Sequence, residues 1–263
     1  MDHLSLDGTW QAARAGDDDW IEAPVPGCVH TALLAAGRID DPFFRDSEDR
    51  LQWITEADWV YRREFDVPAA FLGRDRVLLA FDGLDTLAAV SLNGEELGRT
   101  DNMFRSWQFD AKGKLLGRGN RLEILFASPI PFLAGRERIR HLPDSHGPRE
   151  VDGRGWLRKS PCSFGWDWGP HLASCGPWKS VRLVTWDGAR ITDLHVRQDH
   201  SQPGRVDLSV TVGVERAAVT GSALSGEVAV LREGRTVARA ETGVTADRAE
   251  AALRIENPEL WWP

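Results

Sequence analysis

The chain has 263 residues, a formal net charge of −8 and a sequence pI of about 5.4. That length holds one large or two ordinary domains with room for a sizeable core. The acidic balance argues against nucleic acid and anionic membrane as partners, and no apolar run approaches the roughly 18 residues needed to span a bilayer. The first residues carry neither the charged n-region nor the apolar h-region of a secretion signal, so the expected location is cytoplasmic. Cys28, Cys162 and Cys175 follow no CxxC spacing. Three free thiols in a reducing compartment are expected, with no zinc site and no cofactor; a Cys162–Cys175 bridge stays open. Tryptophan is used unevenly: there are 12 Trp against 1 Tyr, ten of the Trp fall between Trp10 and Trp186, and the last two are Trp261 and Trp262. That shift places a boundary between a domain over residues 1–187 and a second over residues 188–263.

In chain order, residues 4–11 read as a short first strand, and Asp17-Asp18-Asp19 as an acidic surface loop. Pro24-Val25-Pro26-Gly27 is extended and stiff. It leads into a short helix over residues 31–36 that Gly37 stops. Residues 40–58 read as a long irregular stretch holding Phe43, Phe44, Trp53 and several acids; it is either a functional loop, as long structureless loops often are, or one that its aromatics simply pin onto the sheet. Trp59, Tyr61, Arg63 and Phe65 share one side of a strand that Pro68 ends. Residues 77–81 form a continuous apolar run, as in a strand buried on both faces. Residues 86–92 and 95–99 flank Asn93-Gly94, which supplies the two positive φ angles of a type I′ hairpin turn. Residues 103–109 give another strand. Leu122, Ile124 and Phe126 alternate with polar residues in a strand that Pro129 and Pro131 close. Residues 136–158 read as a second irregular segment, and residues 181–186 as the last strand of the first unit. Many short strands with a single short helix imply a sandwich, and the size of the unit favours a jelly roll.

The remainder is plainer. Residues 191–196 form a strand, and Val206, Leu208, Val210, Val212 and Val214 give the cleanest period-two alternation in the chain. Residues 227–231 and 236–240 form a hairpin around Arg232-Glu233-Gly234-Arg235, and residues 251–255 one more strand. This is an immunoglobulin-like pattern with five strands where about seven are usual. The expected fold class is therefore all-β: a jelly-roll β-sandwich followed by an incomplete immunoglobulin-like β-sandwich. The closing Asn257-Pro258-Glu259-Leu260-Trp261-Trp262-Pro263 reads as a truncation. It carries an expectation of unpaired strand edges and an exposed Trp261-Trp262 pair that favour association.

One stretch carries chemistry. In Phe164-Gly165-Trp166-Asp167-Trp168-Gly169-Pro170 two indoles flank one carboxylate, with Gly and Pro punctuating a bent backbone. Indole faces stack on the CH faces of a sugar, and a carboxylate accepts hydroxyl hydrogen bonds. Trp pairs are also common in cores and Asp in turns.

Together with this motif, Leu6-Asp7-Gly8-Thr9-Trp10, Asp49-Arg50-Leu51-Gln52-Trp53-Ile54, Phe81-Asp82-Gly83-Leu84-Asp85-Thr86, Leu92-Asn93-Gly94, Asp101-Asn102-Met103-Phe104-Arg105 and Asn257-Pro258-Glu259-Leu260-Trp261-Trp262-Pro263 resemble the N-terminal region of the β-mannosidases of glycoside hydrolase family 2. The resemblance runs in order over nearly the whole chain, and Trp-Asp-Trp-Gly-Pro is its most selective piece. Relatives acting on glucosamine or N-glycan cores tend to carry Met in place of Gly169. The resemblance implies an exo-acting, retaining hydrolase of terminal non-reducing β-D-mannose, with β-mannosides or manno-oligosaccharides as substrate. It implies that Asp167 accepts hydrogen bonds from the mannose hydroxyls, that Trp168 walls the pocket and that Trp166 packs underneath. It also implies that the two catalytic glutamates sit on a (β/α)₈ barrel. A barrel takes about 250 residues, so none fits beside two β units, and no catalytic residue is expected in this chain, which alone should be inactive. Arg158 and Lys159 either orient the motif loop or lie on the surface; His141, His146 and His171 read as loop histidines. Ser160-Pro161-Cys162-Ser163 departs from the bulkier run of the family. The alternatives are a free-standing carbohydrate-binding module with Trp166 and Trp168 as its platform, an exo-β-glucosaminidase-type relative, and a β interaction protein with its indoles in the core. Calorimetric titration with mannose and manno-oligosaccharides separates the module from the rest.

Overall fold

The computed structural model describes residues 1–143, 151–217 and 223–261, so that His146 and Trp262 lie outside the described residues. The chain forms two compact units, Asp2–Thr185 and a second beginning at Trp186.

The first unit contains β1 (Asp2–Ser5), β2 (Gly8–Arg14), β3 (Ile21–Val25), α1 (Val29–Ala35), α2 (Ser47–Arg50), α3 (Gln52–Glu56), β4 (Trp59–Phe65), α4 (Ala69–Leu72), β5 (Arg76–Phe81), β6 (Ala88–Leu92), β7 (Glu95–Thr100), β8 (Trp107–Asp110), β9 (Asn120–Phe126), α5 (Pro129–Ile139), β10 (Phe164–Trp166), β11 (Gly169–His171) and β12 (Val181–Trp186). Six strands form one antiparallel sheet in the order β3-β2-β4-β9-β6-β7, and four form the other, β1-β12-β5-β8. Apolar side chains from both inner faces meet in one core. Trp10, Tyr61, Ile124 and Phe126 come from the larger sheet, and Leu79, Phe81 and Leu183 from the smaller. This is the jelly-roll sandwich. Tyr61 meets Phe126 edge-on with ring centroids 5.6 Å apart, the favoured aromatic geometry.

Several local expectations change. Residues 4–11 are two strands in different sheets, because the chain crosses between layers at Leu6-Asp7. There the Leu6 amide donates to the Val181 carbonyl at 2.8 Å, Asp7 Oδ1 accepts from the Val181 amide at 2.8 Å, and the Trp10 indole donates to the Leu6 carbonyl. The expected strand over 103–109 is confined to β8, since Met103 to Ser106 run as a loop. Pro129 and Pro131 do not close β9 so much as open α5: Pro stands in its first turn, and Ser128 caps it by accepting from the Ile130 amide at 3.2 Å. The region over residues 40–58 holds α2 and α3. Trp53 packs on Trp59 with centroids 5.9 Å apart, but Phe43 and Phe44 are exposed and pin nothing. At the expected hairpin, Asn93 and Gly94 take φ of 53° and 85°, as a type I′ turn requires. The Asn93 side-chain amide donates to the Lys114 carbonyl and to Asn120 Oδ1, and its oxygen accepts from the Arg121 amide.

The second unit contains β13 (Ala189–Asp199), β14 (Arg205–Arg216), β15 (Leu224–Arg232), β16 (Arg235–Val244) and β17 (Arg248–Glu256). The sheet β13-β14-β17 and the hairpin β15-β16 enclose a core of Val206, Leu208, Val210, Val212, Ala249, Ala251 and Leu253, against which Val228, Val230, Ala238 and Ala240 pack. This is the immunoglobulin-like sandwich. The period-two alternation of β14 is its inner face. The β15-β16 turn is tighter than the four residues expected: only Glu233 and Gly234 connect the strands, both at positive φ.

Candidate functional site

The Trp-Asp-Trp stretch is a β-hairpin, with β10 and β11 pairing Phe164 with His171 and Trp166 with Gly169. Asp167 and Trp168 form its two-residue tip. Gly165 takes a φ of 99°, in the region that favours glycine. The resulting break in the pleat lets Phe164 be fully buried while Trp166, two positions on, reaches the surface. Trp168 is 76% exposed and Trp166 38%, and Asp167 is exposed between them. The two indoles sit with centroids 5.3 Å apart at 49°. Trp166 does not lie beneath the surface as expected. Its ring meets that of Trp168 and also Arg154, a buried residue whose guanidinium carbon lies 5.4 Å from the ring centroid, within cation–π range.

What holds the hairpin comes from distant parts of the chain. Below it, Phe164 packs with Leu133, Leu157 and Ala173, with Leu87, Phe132, Val151 and Trp156 around them. On one side, α2 and α3 grip β11. The His171 amide donates to Glu48 Oε2 at 3.0 Å, Gln52 Nε2 donates to the His171 carbonyl at 2.7 Å, and Thr55 Oγ1 donates to the Ala173 carbonyl at 3.0 Å. Ser160-Pro161-Cys162-Ser163 turns through a short 3₁₀ helix, Pro161–Ser163, which brings the chain into β10. All three cysteines are free. His171 belongs to β11, and His141 pairs with Glu137.

Arg158 and Lys159 have different fates. Arg158 is exposed, whereas Lys159 is 3% exposed and donates to Asp85 Oδ2 at 2.5 Å and to the Ser174 carbonyl at 2.7 Å. A surface role is therefore excluded for Lys159. Its charge also reaches His30 on α1. That buried ring has its pKa lowered from 6.5 to about 4, chiefly by burial and secondarily by Lys159, and neither ring nitrogen finds a hydrogen-bond partner among the described residues.

The tip thus offers an acceptor carboxylate flanked by two exposed indole surfaces on a braced hairpin. It can accept hydroxyl hydrogen bonds while the indoles cover apolar CH faces. The sequence made the three tip residues legible but not their supports. Glu48, Gln52 and Thr55 lie in helices too short to show a period, and the Asp85–Lys159 pair spans 74 positions.

Comparison with known proteins bears on what such a tip serves. Residues 10–179 match the family model described as the glycosyl hydrolase 2 galactose-binding domain-like domain. The chain is 34% identical over 272 residues to a protein named beta-mannosidase B from Emericella nidulans, covering 99% of this chain and 31% of that protein. It is 30% identical to the beta-mannosidase of Mus musculus over 98% of its own length and 31% of the other. Among solved structures, the beta-D-mannosidase of Dictyoglomus thermophilum superposes with a TM-score of 0.84 at 35% identity, over 100% of this chain and 32% of that one. The chain thus spans about a third of the length of these relatives.

Proposed function

From the premise that this chain belongs to glycosyl hydrolase family 2, as a β-mannosidase-related part of it, we propose that it shapes the glycone pocket of an exo-acting, retaining β-mannosidase. In this reading Asp167 accepts hydrogen bonds from hydroxyls of the non-reducing mannose, and Trp168 walls the pocket with Trp166 behind it. The observation that carries the reading is the tip itself: an exposed Asp167 next in sequence to two exposed indoles, whose rings meet with centroids 5.3 Å apart, on a hairpin fixed from below and from one side. A large indole left 76% exposed on so braced a support suits a surface that meets something else.

Retaining hydrolysis requires two carboxyl groups about 5 to 5.5 Å apart across the anomeric carbon. We assign neither to this chain. The resemblance gives both to barrel glutamates, so the 263 residues alone bind mannosides weakly and do not cleave them. The substrate is a β-mannoside or manno-oligosaccharide, and the structural partner is the barrel of the same protein.

In the full-length protein, Asp167→Ala should lower kcat/KM for 4-nitrophenyl β-D-mannoside roughly 30-fold, the effect of about 2 kcal/mol for a lost polar contact in a closed site. The far-ultraviolet spectrum and melting temperature should be unchanged, since the side chain is exposed. A change of less than twofold removes Asp167 from the pocket.

A further inference from the structure

We propose that Lys159 and Asp85 form a positioning clamp that fixes both ends of the segment bearing the Trp166-Asp167-Trp168 tip. The proposal rests on the sugar-pocket reading for its functional meaning, but its geometry stands independently.

The clamp is built around one ammonium group. Lys159 lies just before the segment, and its Nζ donates to Asp85 Oδ2 at 2.5 Å. The same Nζ donates to the carbonyl of Ser174, 15 positions on and just after the segment, at 2.7 Å. Asp85 in turn holds the exit by backbone: its amide donates to the Gly176 carbonyl at 3.0 Å, and the Gly176 amide donates back at 3.1 Å. The second carboxylate oxygen of Asp85 is fixed by the Thr86 hydroxyl. On the entry side, the Met103 amide donates to the Arg158 carbonyl at 2.9 Å. Start and end of the excursion are therefore tied to one residue that follows β5 in the smaller sheet.

A buried ion pair is a poor device for raw stability, because desolvation of both charges offsets most of their attraction. Replacement by an apolar pair of similar size is often neutral or favourable. What such a pair supplies here is direction. An ammonium donates along several axes at once, and two of them join Lys159 to Asp85 and to Ser174, beside the single antiparallel bridge of Asp85 with Gly176. The clamp keeps the long excursion from shifting as a body relative to the sandwich, while Phe164, α2 and α3 hold the hairpin itself. Lys159 and Asp85 are positioning residues, since neither reaches the tip.

Hydrogen–deuterium exchange of the 263-residue chain tests this without any ligand. In Lys159→Met, amides over residues 160–174 should exchange at least tenfold faster, while those of β4 and β9 keep their wild-type protection. The double variant Lys159→Met/Asp85→Leu restores apolar packing and should recover the melting temperature, with residues 160–174 still exchanging fast. Should Lys159→Met fail to fold, the double variant carries the test alone. Wild-type exchange over 160–174 in either variant overturns the clamp, as does a double variant that recovers melting temperature and local protection together. In the full-length protein, Lys159→Met should raise KM for the β-mannoside several-fold more than it lowers kcat. A loosened segment with unaltered mannoside kinetics leaves the clamp standing and overturns the sugar-pocket reading instead.

Discussion

Truncating Phe164 to Ala should cost the first unit about 3 to 5 kcal/mol, the range for removing a fully buried phenyl ring. The ring has no exposed surface and sits at the centre of a small cluster with Leu133, Leu157 and Ala173. That cluster is separate from the main sandwich core, so few neighbours can close over the vacated volume. α5 contributes Leu133, and residues flanking the hairpin contribute Leu157 and Ala173. The loss should therefore also free the hairpin, with residues 160–174 losing amide protection before the sheets do. Guanidinium unfolding followed by indole fluorescence measures the first effect and hydrogen exchange the second. Phe164→Leu, which keeps most of the volume, should cost no more than about 1.5 kcal/mol. A loss below 1 kcal/mol for Phe164→Ala would show that the cluster is dispensable.

The second large effect is a pH dependence at His30. Its folded pKa is about 4, against an ordinary value of 6.5. As pH falls through 6.5 the unfolded chain takes up a proton that the folded chain refuses until about pH 4. The unfolded state is thus favoured progressively across that window, and stability falls as pH falls. The full shift corresponds to about 3 kcal/mol. The causes are concrete: first the burial of a ring without a hydrogen-bond partner among the described residues, then the positive charge of Lys159. Carboxylates elsewhere titrate in the lower part of the window, so the informative quantity is the difference between wild type and His30→Leu. Between pH 7 and pH 4 wild type should lose about 3 kcal/mol more than the variant. Parallel stability curves would refute the assignment.

What could be read from the sequence follows a physical division. Where one face of a strand packs and the other is wet, the alternation is written in the residues, as in β4, β9 and β14. Turns that demand positive φ announce themselves by Asn-Gly and Glu-Gly. The tip residues were legible because a carboxylate between indoles is a chemical statement at three consecutive positions. The misses are non-periodic or non-local. α2 and α3 span 4 and 5 residues, less than two turns, so no apolar stripe can develop. α5 was hidden because its prolines suit both a strand end and a helix start, and Ser128 decides between them. The break at Leu6-Asp7 depends on a bond to Val181, 174 positions away from Asp7. The burial of Lys159 has no local signature, since its partner Asp85 lies 74 positions away.

The Asn93-Gly94 turn has a further consequence, for how the protein ages. An Asn followed by Gly ordinarily loses ammonia readily, because the unhindered glycine nitrogen attacks the side-chain carbonyl and closes a five-membered imide. Here that carbonyl is occupied by the Arg121 amide at 2.8 Å, and the nitrogen it would shed is held by Lys114 and Asn120. These three bonds hold the Asn93 side chain in one rotamer, and any rotation that carries its carbonyl carbon onto the glycine nitrogen must break them, so deamidation at this position is expected to proceed through opened molecules. Accumulated isoaspartate at residue 93 would then serve as a chemical record of how often the sandwich has come apart during storage.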